Sequence, residues 1–316
     1  VRNTLTDFQN FIFVSSKVML FGYPSFAMEE KPLNFQARWA CFSPSFEVLC
    51  VGNNGSACII NEQVRMLNTG VKQNIRCAAY FNEKLLLVGN GGLVLYGQSF
   101  ERLDSHTTEN LRRVVWSPDG KSALILGNNG SALLFDSQNK ELLNLEGAIN
   151  NLRGAVWVEG KEPIIVGNAY ASAFVPTPNV YKFTQKKLEP LVQEPKVDLI
   201  SVDWCFKKFY MMVGYDVVLH EARVYKMDGD FQSVEWKEQG VYLSAVAFHP
   251  TEEMALIATS HPSLQSDRIG FVYLYERGEV KPLFKLQGYG FVCASWRKDG
   301  KKALLLASKS VRTFDV

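Results

Sequence analysis

The chain lacks a long hydrophobic run. Its apolar stretch near the start, from Phe11 to Phe21, is short and broken by Ser15, Ser16 and Lys17, so neither a membrane span nor a signal peptide is expected. No CxxC pair and no regular disulfide spacing occurs among the six cysteines at 41, 50, 58, 77, 205 and 293, which sit mostly inside apolar patterns and read as reduced, buried thiols in a cytoplasmic protein. The four histidines, His106, His220, His249 and His261, show no HExxH or other paired spacing, and no metal site is expected. A Gly-x-Ser-x-Gly elbow is missing, and Gly89-Asn-Gly-Gly92 has no helix after it to form a dinucleotide or phosphate loop, so no cofactor is expected. Strong charge is absent too: a net charge of +2 exerts no global pull on nucleic acid or anionic lipid, and any electrostatic function must be local.

What the chain has is a repeat. Seven times a short run of small or β-branched residues ends in an aromatic, at Phe42, Tyr80, Trp116, Trp157, Trp204, Phe248 and Trp296, with neighbouring anchors 36 to 48 residues apart. The third repeat is the clearest. Val114-Val115-Trp116 leads into Ser-Pro-Asp-Gly, then the strand Lys121–Gly127, the hairpin Asn128-Asn-Gly130, a third strand at 131–135 and a fourth at 140–145. The same hairpin recurs as Gly52-Asn-Asn-Gly55 and Gly89-Asn-Gly-Gly92, and begins again as Gly167-Asn168. Runs such as Leu85–Val88, Ala123–Leu126 and Ala303–Leu306 are continuously apolar, as strands buried on both faces are. No amphipathic helical segment separates them, which argues against a parallel α/β fold.

Four strands per repeat at this period predict an all-β fold, a seven-bladed β-propeller of four-stranded antiparallel blades. Blades begin near residues 37, 75, 111, 152, 199, 243 and 291, within one domain spanning 1–316. The last repeat stops one strand short, so the segment 1–36 is expected to close the ring, through either Phe11–Val14 or Val18–Phe21.

Phe42-Ser-Pro, Trp116-Ser-Pro-Asp-Gly, Phe248-His-Pro and Trp296-Arg-Lys-Asp-Gly resemble the first-strand exits of WD40-like propellers, over roughly residues 37 to 316. The Gly-His and Trp-Asp signatures are absent, with Phe135-Asp136 and Phe314-Asp315 the nearest echoes, and there is a weaker similarity to photosystem-assembly-factor propellers. The resemblance implies that the first strand of each blade lines a central channel and that the hairpins between second and third strands share one face with its mouth.

On that face, four residues before the anchor, the first four blades carry Arg38, Arg76, Arg112 and Arg153, where the others have Ile200, Ser244 and Val292. An arc of guanidinium groups suits a carboxylate or phosphate ligand. Equally, a residue copied through a repeat can be packing, each arginine bonding carbonyls or an acid such as Asp104, Glu109 or Glu146. The second hairpins of blades four, five and six are longer and carry Tyr170, Phe174 and Tyr215, candidates for an exposed aromatic patch. The reading is a non-enzymatic platform for a protein or acidic-peptide partner. The alternative is a hydrolase or lyase acting on an anionic small molecule at the same mouth, with acids such as Asp203, Asp216 and Asp267 meeting across blades.

Overall fold

Short strands joined by tight turns fold each repeat into one antiparallel sheet. A computed structural model describes residues 28–172, 175–192, 196–206, 208–229, 231–260, 269–287 and 290–315, with the backbone of 13–14 and 18–20. Seven four-stranded blades result, blade one being Ala37–Phe42, Val48–Gly52, Ala57–Ile60 and Val64–Leu67 in sheet order. The first strands of the others are Ile75–Phe81, Leu111–Trp116, Leu152–Val156, Val197–Cys205, Tyr242–Phe248 and Phe291–Trp296. They touch in cyclic order, with Phe291–Trp296 returning to Ala37–Phe42, so the protein is a closed seven-bladed propeller.

Burial follows from the stacking. The second strands Val48–Gly52, Ile164–Gly167 and Phe209–Asp216 are buried at every position, because a blade covers each face. The apolar clusters lie between blades: one joins Cys50 and Cys58 to Cys293 and Leu304, another Leu49 and Val51 to Leu85 and Leu87. A blade alone would leave such side chains in water, at roughly 1.5–3 kcal/mol for each large one. Anchors add directional bonds between neighbours: Trp116 Nε1–H donates to the Ala79 carbonyl at 3.1 Å and Trp296 Nε1–H to that of Ala247 at 2.9 Å. His249 is a packing residue. Its Nδ1 accepts the Glu252 N–H, which leaves Nε2–H to donate to the Gly300 carbonyl at 3.1 Å, and its ring meets Trp296 edge-on.

Closure differs from the expectation in which strand performs it. Met28–Pro32 pairs antiparallel with Ser310–Asp315 and completes blade seven, while Val18–Leu20 pairs with the outer strand of blade six, Glu279–Gln287, and Phe13–Val14 pairs with Val18–Leu20 in turn. The sequence Met-Glu-Glu-Lys-Pro is too polar to read as a strand, but an outer strand needs only backbone pairing. Buried Arg312 adds an ion pair to Glu30 at 2.6 Å.

Candidate functional site

Every first strand carries a β-bulge at the position four residues before its anchor, between residues 37 and 39 in blade one and at the matching place in the other six. A bulge re-aims the side chain it carries. In blades one to four that side chain is Arg38, Arg76, Arg112 and Arg153, all half-buried. Each Nε–H donates to an asparagine at the start of its own blade's second hairpin: Arg38 to Asn53 at 2.8 Å, Arg76 to Asn90 at 2.7 Å, Arg112 to Asn128 at 3.1 Å and Arg153 to Asn168 at 3.0 Å.

The asparagines are fixed in turn. Their backbone N–H groups donate to Gln36, Asn74, Asn110 and Asn151 carbonyls just ahead of the first strands. In blades one to three the next two residues, Asn54-Gly55, Gly91-Gly92 and Asn129-Gly130, all have positive φ, the geometry a type I′ hairpin turn requires. The glycine is also forced by contact. A Cβ on Gly92 would lie 1.8 Å from the Thr107 carbonyl oxygen, because its N–H packs onto the next blade's connection at Glu109.

Beyond the Nε bonds, the four arginines make no hydrogen bond or ion pair with the described residues. None of the acids considered as partners pairs with them: Asp104 holds His106, and the Glu109 and Glu146 carboxylates make no bond to any of the four. Burial, then the charges of Arg112, Arg38 and Arg153, push the pKa of Arg76 down to about 10. Burial and a neighbouring arginine likewise lower Arg112 and Arg153, with Asp198 partly offsetting the latter. Asp198 is itself shifted up by burial and accepts the Ala169 N–H at 3.0 Å. The four arginines are thus each held at Nε, and those of blades two to four have their pKa lowered by burial and by one another's charge.

In blades five to seven the bulge positions carry Ile200, Ser244 and Val292 instead; Ser244 Oγ donates to the Ala258 carbonyl. Tyr215 corrects an expectation: it is buried, stacked on Tyr242 at 3.7 Å and bonded to His220, and so does not belong to an exposed patch. The apolar surface beside it is the turn that follows, where Val218 and Leu219 are 53% and 55% exposed. Asp216 caps that turn by accepting the Val218 and Leu219 N–H groups, and Arg223 pairs with both Asp216 and Glu221 beneath it. Ile149, in the connection into blade four, is exposed on the same face. Tyr170 is half-buried in a small hairpin, Tyr170–Ser172 with Val175–Pro176, inserted in blade four; Phe174, His261 and Asp267 lie outside the described residues. Asp203 does not approach Asp216: it accepts the Trp204 and Phe248 N–H groups within the ring, and burial raises its pKa to about 6.

The asparagines were missed as site residues because their place in a hairpin already explains them. A signal was present, since Arg and the Gly-Asn pair occur together in blades one to four and are both lost in five to seven, where Tyr215, Ser260 and Ser308 take the asparagine's place.

No family model and no curated protein matches the chain. Among solved structures it is similar to the β-propeller domain of Myceliophteria thermophila Cps50 (Swd1), with a TM-score of 0.68 at 12% identity over 92% of this chain and 99% of that one. A chain of a mitotic checkpoint complex superposes with a TM-score of 0.69 at 13% identity over 100% of this chain and 99% of that one. The chain thus has the fold of a β-propeller. No helix among its described residues is long and apolar enough to cross a membrane.

Proposed function

We propose that the protein is a non-enzymatic interaction platform that takes an acidic segment of a protein partner across the arginine mouth of its channel. The observation that carries this reading is the arc itself: four guanidinium groups held at Nε, with their remaining N–H groups unmatched among the described residues and their charges offset only in part, by Asp198 near Arg153. Preorganised donors of this kind lose little freedom on binding, and a carboxylate would relieve their repulsion. The flanking Val218, Leu219, Ile149 and Tyr170 would take apolar residues beside the acidic stretch, with Phe174 assigned to the same surface from its sequence position. The similarity to a chain of a multi-protein complex supports a protein partner over a nucleic acid. We also assign the protein to the cytoplasm, on six free thiols, five of them buried, one of which, Cys293, burial raises to about 12.

Calorimetric titration with an oligoglutamate peptide tests the reading. Each charge-assisted contact contributes roughly 1.5–3 kcal/mol, so Arg76→Gln with Arg112→Gln should weaken binding by about two orders of magnitude or more if the effects add. Added salt should weaken it further in the wild type. Equal affinity in the wild type and the double variant would defeat the proposal.

A further inference from the structure

Inside the ring, just past the arc, lie two buried donors that no described residue accepts. Arg113 and Trp39 lie one residue past the bulge in blades three and one, and the Arg113 guanidinium carbon sits 4.1 Å from the centre of the Trp39 ring. Arg113 Nε and Trp39 Nε1 are buried without a hydrogen-bond partner, whereas the terminal nitrogens of the Arg113 side chain, which makes no hydrogen bond or ion pair with any described residue, are not closed off in this way. A cation–π contact offsets only part of what such donors lose when removed from water. The obvious internal partner, Asp203, has both oxygens taken by backbone N–H groups and forms no ion pair with Arg113.

These two residues line a cavity of about 400 Å³ between blades seven, one, two and three, at the end where the first strands leave the ring. Phe42, Tyr80, Trp116 and Trp296 help to wall it, and Lys298 is exposed at its rim. No aspartate or glutamate lines it. Its size falls within the ordinary range of small-molecule sites. The unpaired guanidinium, the rim lysine and the aromatic walls together suit a ligand with one anionic acceptor group and a flat apolar body.

We propose that this cavity binds a small aromatic carboxylate, whose oxygens accept the terminal N–H groups of the Arg113 guanidinium while its ring lies among Phe42, Tyr80, Trp116 and Trp296. The cavity opens where the first strands leave the ring, whereas the arc lies where they begin, although Arg113 directly follows Arg112. Calorimetry with benzoate and phenylacetate, each paired with its amide, tests it on the full chain. Both acids should bind saturably at millimolar concentration or below, with their amides and the Arg113→Gln variant weaker by about tenfold or more, as loss of a charge-assisted bond implies. Arg76→Gln should leave this binding unchanged. If Arg113→Gln fails to fold, the acid-to-amide comparison in the wild type decides alone. Absence of saturable binding by either acid, equal binding of acid and amide, or loss of binding in Arg76→Gln would overturn the assignment.

Discussion

Replacing Arg76 with glutamine should make the protein more stable while weakening its hold on an acidic ligand. Burial and the three other arc arginines push the Arg76 pKa down to about 10. Because this lies below the value in the unfolded chain, the charged form opposes folding fully at neutral pH, and relief begins only as the pH rises through about 10. Keeping the guanidinium charged costs roughly 3 kcal/mol if the shift is converted directly. Solvent and salt at the open mouth reduce this to about 1 kcal/mol. Glutamine still offers an N–H to Asn90 Oδ1, so the bond now made at 2.7 Å has a replacement. The melting temperature should therefore rise by about 2 °C in a chain of this size. Differential scanning calorimetry with and without oligoglutamate reads both effects: the peptide should stabilise the wild type and do so less for the variant. A fall of several degrees without ligand would show that Arg76 is a packing residue and refute the reasoning.

Three further outcomes follow from the ring. Removing residues 1–24 should leave Met28–Pro32 paired and cost far less stability than removing 1–32, which exposes the Ser310–Asp315 edge and strips Arg312 of Glu30; equal melting temperatures for the two truncations would contradict the observed closure. Trp116→Phe should destabilise by about 1–3 kcal/mol in urea unfolding, since it leaves the Ala79 carbonyl without its donor, and an unchanged midpoint would remove that bond from the account. Asp203, with a folded pKa raised to about 6, contributes stability that is fully present below its unfolded value and is lost as pH rises through about 6; a stability profile from pH 4 to 8 should show this component, and Asp203→Ala should abolish it.

The propeller was legible because its physics repeats. Aromatic anchors, Gly-Asn hairpins and continuously apolar second strands each follow from sheets stacked on both faces, and seven copies make the pattern plain in one chain. The arginine register was legible for the same reason. What escaped had other causes. Met28–Pro32 is chosen by the free edge it completes, not by its own side chains, so two more apolar segments looked like better candidates. Asn53, Asn90, Asn128 and Asn168 served a backbone need that hid their bonds to the arginines. Tyr215 stands at the position of those asparagines, yet whether an aromatic there faces solvent or stacks inward depends on Tyr242 in the next blade, a contact no local pattern reveals. The pairing of Arg113 with Trp39 likewise crosses two blades.

The central claim, that the arc is a ligand site, is tested most directly by arginine-selective modification with phenylglyoxal, read residue by residue by mass spectrometry with and without a saturating acidic peptide. The account predicts that Arg38, Arg76, Arg112 and Arg153 are modified in the free protein and protected together by the peptide, while Arg297, bonded to Asp299 on the opposite face, keeps its reactivity unchanged. Modification of the four that is indifferent to the peptide, under conditions where the peptide demonstrably binds, would contradict it.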